Sequence, residues 1–413
     1  MLMGIKIRLI PTKEQEIQFR KSAGTSRWAY NFFVSTNKKQ YKLYTQGLSN
    51  KSYVNGSEIR KMITQMKRTV EFEWLNEVSA NVTKQAVTDA DSSAQRHFKN
   101  PKRYGFPHLK SKYTNESRFY VNYETLKRTS IGFQGEKLGN VKTAQPFPKL
   151  KPNRKYSNPH IYFNGKCWMI SFAIDVKDLT KESNKIYWKR INKFNDKTTT
   201  HEIIGVDLGI KELAIVSDTT GTKIKHYENI NYTKEVRRLE RRLKHEQRAL
   251  SICFESNVAY RDANKKPHFK RKLCECKNYQ RQRKRTQRVA THLSNIRENY
   301  VQQVTTDIVK HKPQRLVYED LNVKAMMKNH HLARHISNQC WGLCKQCFEY
   351  KCKRLGIEVI KANRWFASSK TCHVCGHKKK DLTLKDREFT CDNCGTLLDR
   401  DENAAINLAN YVA

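Results

Sequence analysis

Two C-x2-C pairs, Cys372 with Cys375 and Cys391 with Cys394, stand fifteen residues apart near the end of the chain. A C-x2-C turn aims two thiolates at one point, and two such turns complete the tetrahedral ligand set of a zinc ion. Gly376 and Gly395 follow the second cysteine of each pair, where a tight turn needs a residue tolerant of positive φ. Four free thiols that merely pack at this spacing are the poorer account. All four ligands come from protein and none is left for substrate, so the expected ion is one structural Zn2+.

Acidic residues point to a second kind of chemistry. Asp207 ends the apolar run EIIGVD just before Gly209, and Glu319 ends the run RLVYE. Taken singly, each is more readily a turn or cap residue. If the two strands are neighbours, both carboxylates emerge at the same edge of one sheet. The final stretch LLDRDENAAINLANYVA adds a third acid. On a helix, Asp401, Ala404, Ala405, Leu408, Ala409 and Val412 fall on one stripe, which must face the sheet. Asp399, two residues earlier, reads as the N-cap. Small alanines would let this helix bring Asp401 beside Asp207 and Glu319. Three crowded carboxylates raise one another's pKa, a conflict that hard divalent cations resolve. Two Mg2+ ions about 3.5–4 Å apart can flank a scissile phosphate, one activating water and the other stabilising the leaving oxygen. The candidate chemistry is metal-assisted phosphodiester hydrolysis at Asp207, Glu319 and Asp401, with the zinc knuckle bracing the last ligand helix.

The elements that must position these residues can be followed along the chain. Ile5, Ile7 and Leu9 alternate with Lys6 and Arg8, which predicts a half-buried strand ended by Pro11. Thr12 and Gln15 form a capping box, and a helical pattern then runs to about residue 100. Its aromatics Trp28, Tyr30, Phe32 and Phe33 could stack on bases, although core packing accounts for them more simply. The basic stretch 97–112, broken by Gly105 and two prolines, reads as a boundary loop. Residues 116–195 alternate β-branched and aromatic residues between turns, predicting a small antiparallel sheet or barrel. Strands are then expected at 201–218, in two runs, and at 223–228. Helices follow, carrying Val236, Leu239, Leu243 and Leu250, and then Val289, Leu293, Ile296, Tyr300, Val304 and Ile308. A strand at 315–322, one helix over 337–356 stopped by Gly356, and a strand at 357–363 complete an α/β layer. Cys340, Cys344 and Cys347 have the spacing of a radical-SAM cluster motif, but on a helix they point inward as small hydrophobes. Cys274 and Cys276 have no account.

The totals narrow the partners. The chain has 413 residues and twelve cysteines; 80 Lys plus Arg against 39 Asp plus Glu give a formal net charge of +41. Nucleic acid is the first polyanion such a balance suits, and an anionic membrane surface the second. The membrane reading is weak, because there is no apolar run of ~18 residues and MLMGIKIRLI is too short for a secretory signal. A soluble, intracellular protein with reduced cysteines is expected. The runs KRK (270–272) and RQRKRTQR (281–288) could be plain solvated faces, but the one-signed excess tilts them towards tracking phosphates.

In order along the chain, GVDLGIKELAIVSD, LVYEDLNVKAM, SSKTCHVCGHK, CDNCG and DRDENAAINLA resemble the RuvC-type nuclease core of the TnpB family. These are transposon-encoded relatives of type V CRISPR effectors. IKIRLIPTKEQ, SRWAYNFF and FKNPKRYGFPHLKSK extend the resemblance to the N-terminal half. It implies a multidomain α+β fold with an N-terminal β-barrel, the wedge (1–10 and 116–195), interrupted by a helical recognition domain (11–115). An RNase H-like (RuvC) domain (200–413) would follow, with a helical insertion at about 233–310 and a zinc ribbon at about 370–397. It also implies an RNA-guided DNA endonuclease that binds a guide RNA from the transposon end. Such a protein recognises a short motif flanking its double-stranded DNA target and cuts with Mg2+ at Asp207, Glu319 and Asp401, in a prokaryotic-type, nucleoid-associated setting. Guide pairing would read sequence, leaving the basic chain to hold the backbone of the heteroduplex.

Rival readings stay open. A nuclease-inactive RNA-guided repressor would lack one of the three acids, and all are present. A DDE-type transposase or Holliday-junction resolvase would share the metal chemistry, but not the ribbon between Glu319 and Asp401 or the long N-terminal half. The His-apolar-His motif of single-strand transposases is absent from the sequence. A compact type V effector would differ only in genomic neighbourhood.

Overall fold

A computed structural model of the chain describes residues 2–111, 117–183, 200, 202–383 and 386–412. The end of the expected wedge segment, 184–195, therefore lies outside the described residues, as do residues 112–116. The chain divides into two compact units, Met1–Lys189 and Arg190–Ala413.

In the first unit, β1 (Leu2–Ile10) buries Ile5, Ile7 and Leu9 and exposes the residues between them, as its alternation predicts. Pro11 cannot donate to a ladder, and Thr12 caps α1 (Lys13–Thr45) in the expected box: Gln15 N donates to Thr12 Oγ1 at 3.2 Å and Thr12 N to Gln15 Oε1 at 3.1 Å. With α2 (Gly56–Met66), a 3-10 segment (Val70–Glu77) and α3 (Ala80–Lys99), α1 closes a core around Phe33, Ile59, Leu75 and Val87. Tyr30 and Phe33 are buried in this core, and Trp28 and Phe32 pack against it, so these aromatics serve packing. The strands β2 (Arg118–Tyr120), β3 (Lys127–Arg128), β4 (Gly132–Gly135), β5 (Gly139–Thr143), β6 (Ser157–Phe163) and β7 (Trp168–Asp175) follow. They join β1 in a seven-stranded antiparallel sheet of order β2-β6-β7-β1-β5-β4-β3. β1 serves two arms: Leu2–Arg8 pair with β7, while Leu9 and Ile10 pair with β5.

In the second unit, β8 (Ile203–Asp207), β9 (Glu212–Ser217) and β10 (Lys225–Glu228) form the expected antiparallel meander. Helices α4 (Lys234–Glu255) and α5 (Lys277–Val309) then pack through Val236, Leu239 and Leu293. Between them lies a feature absent from the sequence reading, the hairpin of β11 (Val258–Arg261) and β12 (Pro267–Phe269). Next come β13 (Arg315–Glu319), α6 (Val323–Met326), α7 (His330–Gln339), α8 (Trp341–Leu355) and β14 (Glu358–Ala362). The single helix expected over 337–356 is two: Cys340 sits in the left-handed region (φ 54°) and separates α7 from α8, while Gly356 (φ 73°) ends α8 as predicted. The sheet order is β10-β9-β8-β13-β14, with β8, β13 and β14 parallel. Val206, Leu316 and Tyr318 face one core with Ile308 and Phe348 of the helices. Val317 and Ala362 face the other side, against Leu408 of the final helix.

That chain end is reached through β15 (Glu388–Thr390) and β16 (Leu397–Asp399), which lead into α9 (Arg400–Ala409). The expected apolar stripe of α9 needs two corrections. The helix ends at Ala409, leaving Val412 83% exposed beyond it, and every residue from Asn403 to Ala409 is buried. It is enclosed all round rather than laid on a sheet by one face.

Candidate functional site

Two of the three acids are brought together by strand pairing. In the parallel ladder Val317 stands opposite Gly205 and Tyr318 opposite Val206, so Asp207 and Glu319 close adjacent strands at the same edge. Alternation then sets their direction. Val317 packs on Leu408 of α9, and Glu319, two residues on, leaves the strand on that face. Gly205 fixes the same face for Asp207, because a Cβ there would stand 2.1 Å from Ala405 O and 2.3 Å from Ala409 N. Glycine is what lets the helix backbone lie directly on the strand.

The third acid comes from the first turn of α9. Asp399 caps this helix, accepting from Asp401 N at 2.8 Å and Glu402 N at 3.4 Å, which leaves the Asp401 carboxylate free for other work. Asp401 Oδ1 accepts from Arg400 Nε at 3.0 Å and Nη2 at 2.8 Å, and Arg387 stands 3.7 Å from Oδ2. Burial, then the charges of Glu319 and Asp401, push the Asp207 carboxyl well above its ordinary range, against the pull of Arg400. Burial also raises Glu319; a hydrogen bond from Ser368 and the charge of Lys345 oppose it, and Asp401 adds to it. The three carboxylates thus act on one another electrostatically. They are not drawn as tightly as an ion cage: among the described residues, the only group of three or more His, Cys, Asp or Glu side chains gathered closely enough to hold a metal is the cysteine set.

In that set the ligand atoms of Cys372, Cys375, Cys391 and Cys394 all lie within 4.8 Å of one another. Cys372 Sγ is 3.6 Å from Cys394 Sγ, and Cys375 Sγ is 3.5 Å from Cys391 Sγ, each contact crossing between the two turns. A tetrahedron with Zn–S bonds of about 2.3 Å has edges of about 3.8 Å, so the thiols fit a structural zinc ion. Gly376 (φ 73°) and Gly395 (φ 70°) adopt the left-handed turns foreseen for them. Buried Phe389 and Leu382, with Leu398, supply the small core beneath.

Three family models match: "Helix-turn-helix domain" of IS605 OrfB proteins over residues 1–46, "Probable transposase" over 179–330, and "Cas12f1-like, TNB domain" over 341–408. Together they cover more than half of the chain. A Streptomyces pristinaespiralis protein named "Putative RNA-guided DNA endonuclease" is 28% identical over 98% of this chain and 88% of its own length. An Escherichia coli protein named "Putative RNA-guided DNA endonuclease InsQ" is 24% identical over 98% and 91%. The chain is thus similar along its length to proteins of the TnpB/IS605 OrfB family. Among solved structures, the protein of the "Cryo-EM structure of the Cas12f1-sgRNA-target DNA complex" shares the fold, with a TM-score of 0.54, 14% identity and 99% of each chain covered. The chain therefore has a mixed α/β multidomain fold resembling that protein's. The first of the three family models is misnamed for this chain, in which Leu2–Ile10 is a strand and Lys13–Thr45 one continuous helix, not a helix-turn-helix.

The sequence reading missed the residues that tie the two centres together. Ser368 Oγ donates to Glu319 Oε1, and Asn407 Nδ2 donates to Ser368 O at 2.7 Å and Thr371 O at 2.6 Å. Asn403 Nδ2 donates to Thr371 O at 2.7 Å, while its Oδ1 accepts from the His373 backbone N at 3.1 Å, inside the first cysteine turn. The signal was available: two asparagines four apart in an otherwise apolar helix share one face. Cys344, Cys347 and Cys352 are buried and Cys340 marks the helix break, consistent with packing.

Proposed function

We propose that this chain is an RNA-guided DNA endonuclease, as its relatives are named, cutting phosphodiester bonds with Asp207, Glu319 and Asp401. One observation carries this reading: two parallel strands ending in acids and a helix bearing a third share one face, and burial with the neighbouring acidic charge raises the proton affinity of Asp207 and Glu319. Hard carboxylate oxygens suit Mg2+, and two such ions would supply the Lewis acidity that activates a water and stabilises the departing oxygen. The chain's own residues do the rest. Ser368 holds the Glu319 carboxylate, Gly205 sets the depth of the helix, and Asp399 fixes its first turn so that Asp401 faces the strands. Arg400 and Lys345 temper the negative charge.

In this reading the second unit is an RNase H-like (RuvC) domain, with α4, α5 and their hairpin as its helical insertion and the four cysteines holding one structural Zn2+ in a ribbon at about 370–397. The expected domains, 1–10 with 116–195, 11–115 and 200–413, are read on their described residues as the barrel-like wedge, the helical recognition domain and the nuclease. The net charge of +41 suits the backbones of a transposon-derived guide RNA and its heteroduplex with target DNA at the nucleoid. The test is to purify the chain, sequence the RNA that accompanies it, and offer matching duplex DNA with Mg2+. A defined short RNA and guided cutting are expected. Asp207→Ala, Glu319→Ala and Asp401→Ala should each abolish cutting while RNA binding persists. Random cellular RNA, or cutting that survives all three substitutions, would defeat the reading.

A further inference from the structure

A cavity of about 170 Å³ opens in the first unit between α1, α3, β2 and β6. It is close in size to an engineered cavity of about 150 Å³ that admits a benzene-sized ring. Its lining is cationic and aromatic at once: Arg27, Lys110 and Arg118 meet Tyr120 and His160, with Asp89 as the acid of the lining. None of the three cations makes an ion pair within 4.0 Å among the described residues, although Arg27 and Lys110 are both half-buried. Burial lowers the pKa of Arg27 and of Lys110, and for Lys110 it outweighs the opposing charge of Asp89, so positive charge is kept partly from water here.

The site is built rather than incidental. Asn31 grips the Lys110 backbone on both sides, through Lys110 N to Asn31 Oδ1 at 2.7 Å and Asn31 Nδ2 to Lys110 O at 2.8 Å. The Lys110 ammonium lies 3.5 Å from the centre of the Tyr30 ring. His160 is 5% exposed and its Nδ1 lies 3.0 Å from Asn158 O. Donating that proton to the carbonyl leaves Nε2 of the neutral ring as an acceptor. The Tyr120 and His160 rings meet edge to face at 5.5 Å, so the cavity has an aromatic corner beside its charged side. A ligand that satisfies all of these needs an anion, a planar or sugar-sized body and a donor.

We propose that this cavity binds one nucleotide of a nucleic-acid strand, its phosphate on Arg27, Lys110 and Arg118 and its sugar or base against Tyr120 and His160. The inference rests on the reading that the chain works on nucleic acid, and its test is separable from guided cutting.

Adenosine monophosphate and inorganic phosphate are titrated calorimetrically into the intact chain and into Arg27→Gln and Arg118→Gln. Saturable binding of the nucleotide, tighter than phosphate and weakened about tenfold by either substitution, is expected from loss of one charge-assisted contact. Binding of RNA and of DNA oligonucleotides is then measured against salt. Each substitution should lower the salt slope by about one for the strand that uses the cavity, and leave the other strand unchanged. A slope change with RNA assigns the nucleotide to the guide, and one with DNA to the target. Unchanged nucleotide affinity and unchanged slopes in Arg118→Gln, an exposed position whose loss should not disturb folding, would overturn the proposal even if guided cutting is intact. Nucleotide binding without guided cutting would instead uphold the cavity and sink the nuclease reading.

Discussion

Gly205→Ala should disable the proposed nuclease site without touching any acid. The added methyl would lie 2.1 Å from Ala405 O and 2.3 Å from Ala409 N, where ordinary contact begins at 3.4 Å, so α9 must retreat by about 1.3 Å. Both obstacles are backbone atoms, which cannot swing aside as a side chain could. Overpacking of this kind costs about 1–3 kcal/mol, and two backbone clashes place this case near the upper end. For a unit of this size, about 3 kcal/mol lowers the melting temperature by roughly 6–12 °C. The activity loss should be larger in proportion. Asp401 rides on the displaced helix, and a 1 Å error in a reacting geometry can cost about 100-fold. The assay is single-turnover cutting of matched duplex DNA, on protein whose circular dichroism and RNA binding equal those of wild type. Gly342→Ala is the control, since nothing lies within 4 Å of its Cβ and the exposed helical site should gain about 0.4–1 kcal/mol. A Gly205→Ala protein that cuts at the wild-type rate with an unchanged melting temperature would refute the close-approach argument.

Ser368→Ala removes the donor to Glu319 and should cut activity by about 10–100-fold, shifting the Mg2+ requirement upward, with Ser368→Thr restoring it; an unchanged Mg2+ titration would deny Ser368 any positioning role. Cys372→Ser should leave the purified chain without stoichiometric zinc and lower its melting temperature, whereas full stability with no metal would exclude a structural ion. Burial pulls the His226 imidazole down, but Glu212 at 2.7 Å and Glu402 at 2.9 Å outweigh it and raise its pKa above 6.5. That stabilisation is complete below pH 6.5 and fades as pH rises through the folded-state pKa, so melting temperature should fall across this window in wild type and not in His226→Gln. Parallel pH profiles for the two proteins would show that the bridge contributes nothing.

What the sequence discloses is local. Ile5, Ile7 and Leu9, the Thr12 cap, the Asp399 cap and the two cysteine turns all rest on spacings of a few residues, and all appear where the pattern puts them. What it hides depends on partners distant in the chain. The adjacency of β8 and β13 is conditional in the sequence, because the helical hairpin separates them; only the ladder pairing Val206 with Tyr318 makes it definite. Gly205 reads as an unremarkable weak point in a strand until Ala405 is laid against it. The break at Cys340 is invisible because cysteine carries no preference for the left-handed region, unlike Gly356. The β11–β12 hairpin, by contrast, could have been found: DANKK offers a turn between the strand-forming runs VAYR and PHF, but the helical pattern on either side obscured it.

The close of the chain explains why a knuckle of soft thiolates should sit beside acids suited to hard cations. A ten-residue helix has little stability of its own, so α9 depends on what surrounds it for position. On one side the surrounding is β8, touched through the missing side chain of Gly205. On the other it is the stretch 368–373, gripped by Asn403 and Asn407 through four hydrogen bonds to Ser368, Thr371 and His373. That stretch is itself fixed at both ends, by Ser368 on Glu319 and by Cys372 in the four-thiol set. The path from the thiols to two of the three acids is therefore short and wholly hydrogen-bonded. Unfolding the knuckle would free the 368–373 stretch, and with it both the donor that orients Glu319 and the carbonyls that seat α9. Buried Asn403 and Asn407 would then lack partners, a cost of about 1–3 kcal/mol each, so the helix could not keep its place while the knuckle melts. A zinc ion held by the four thiols would thus govern where Asp401 stands without meeting substrate, because the stretch that carries Cys372 also seats the helix that carries Asp401.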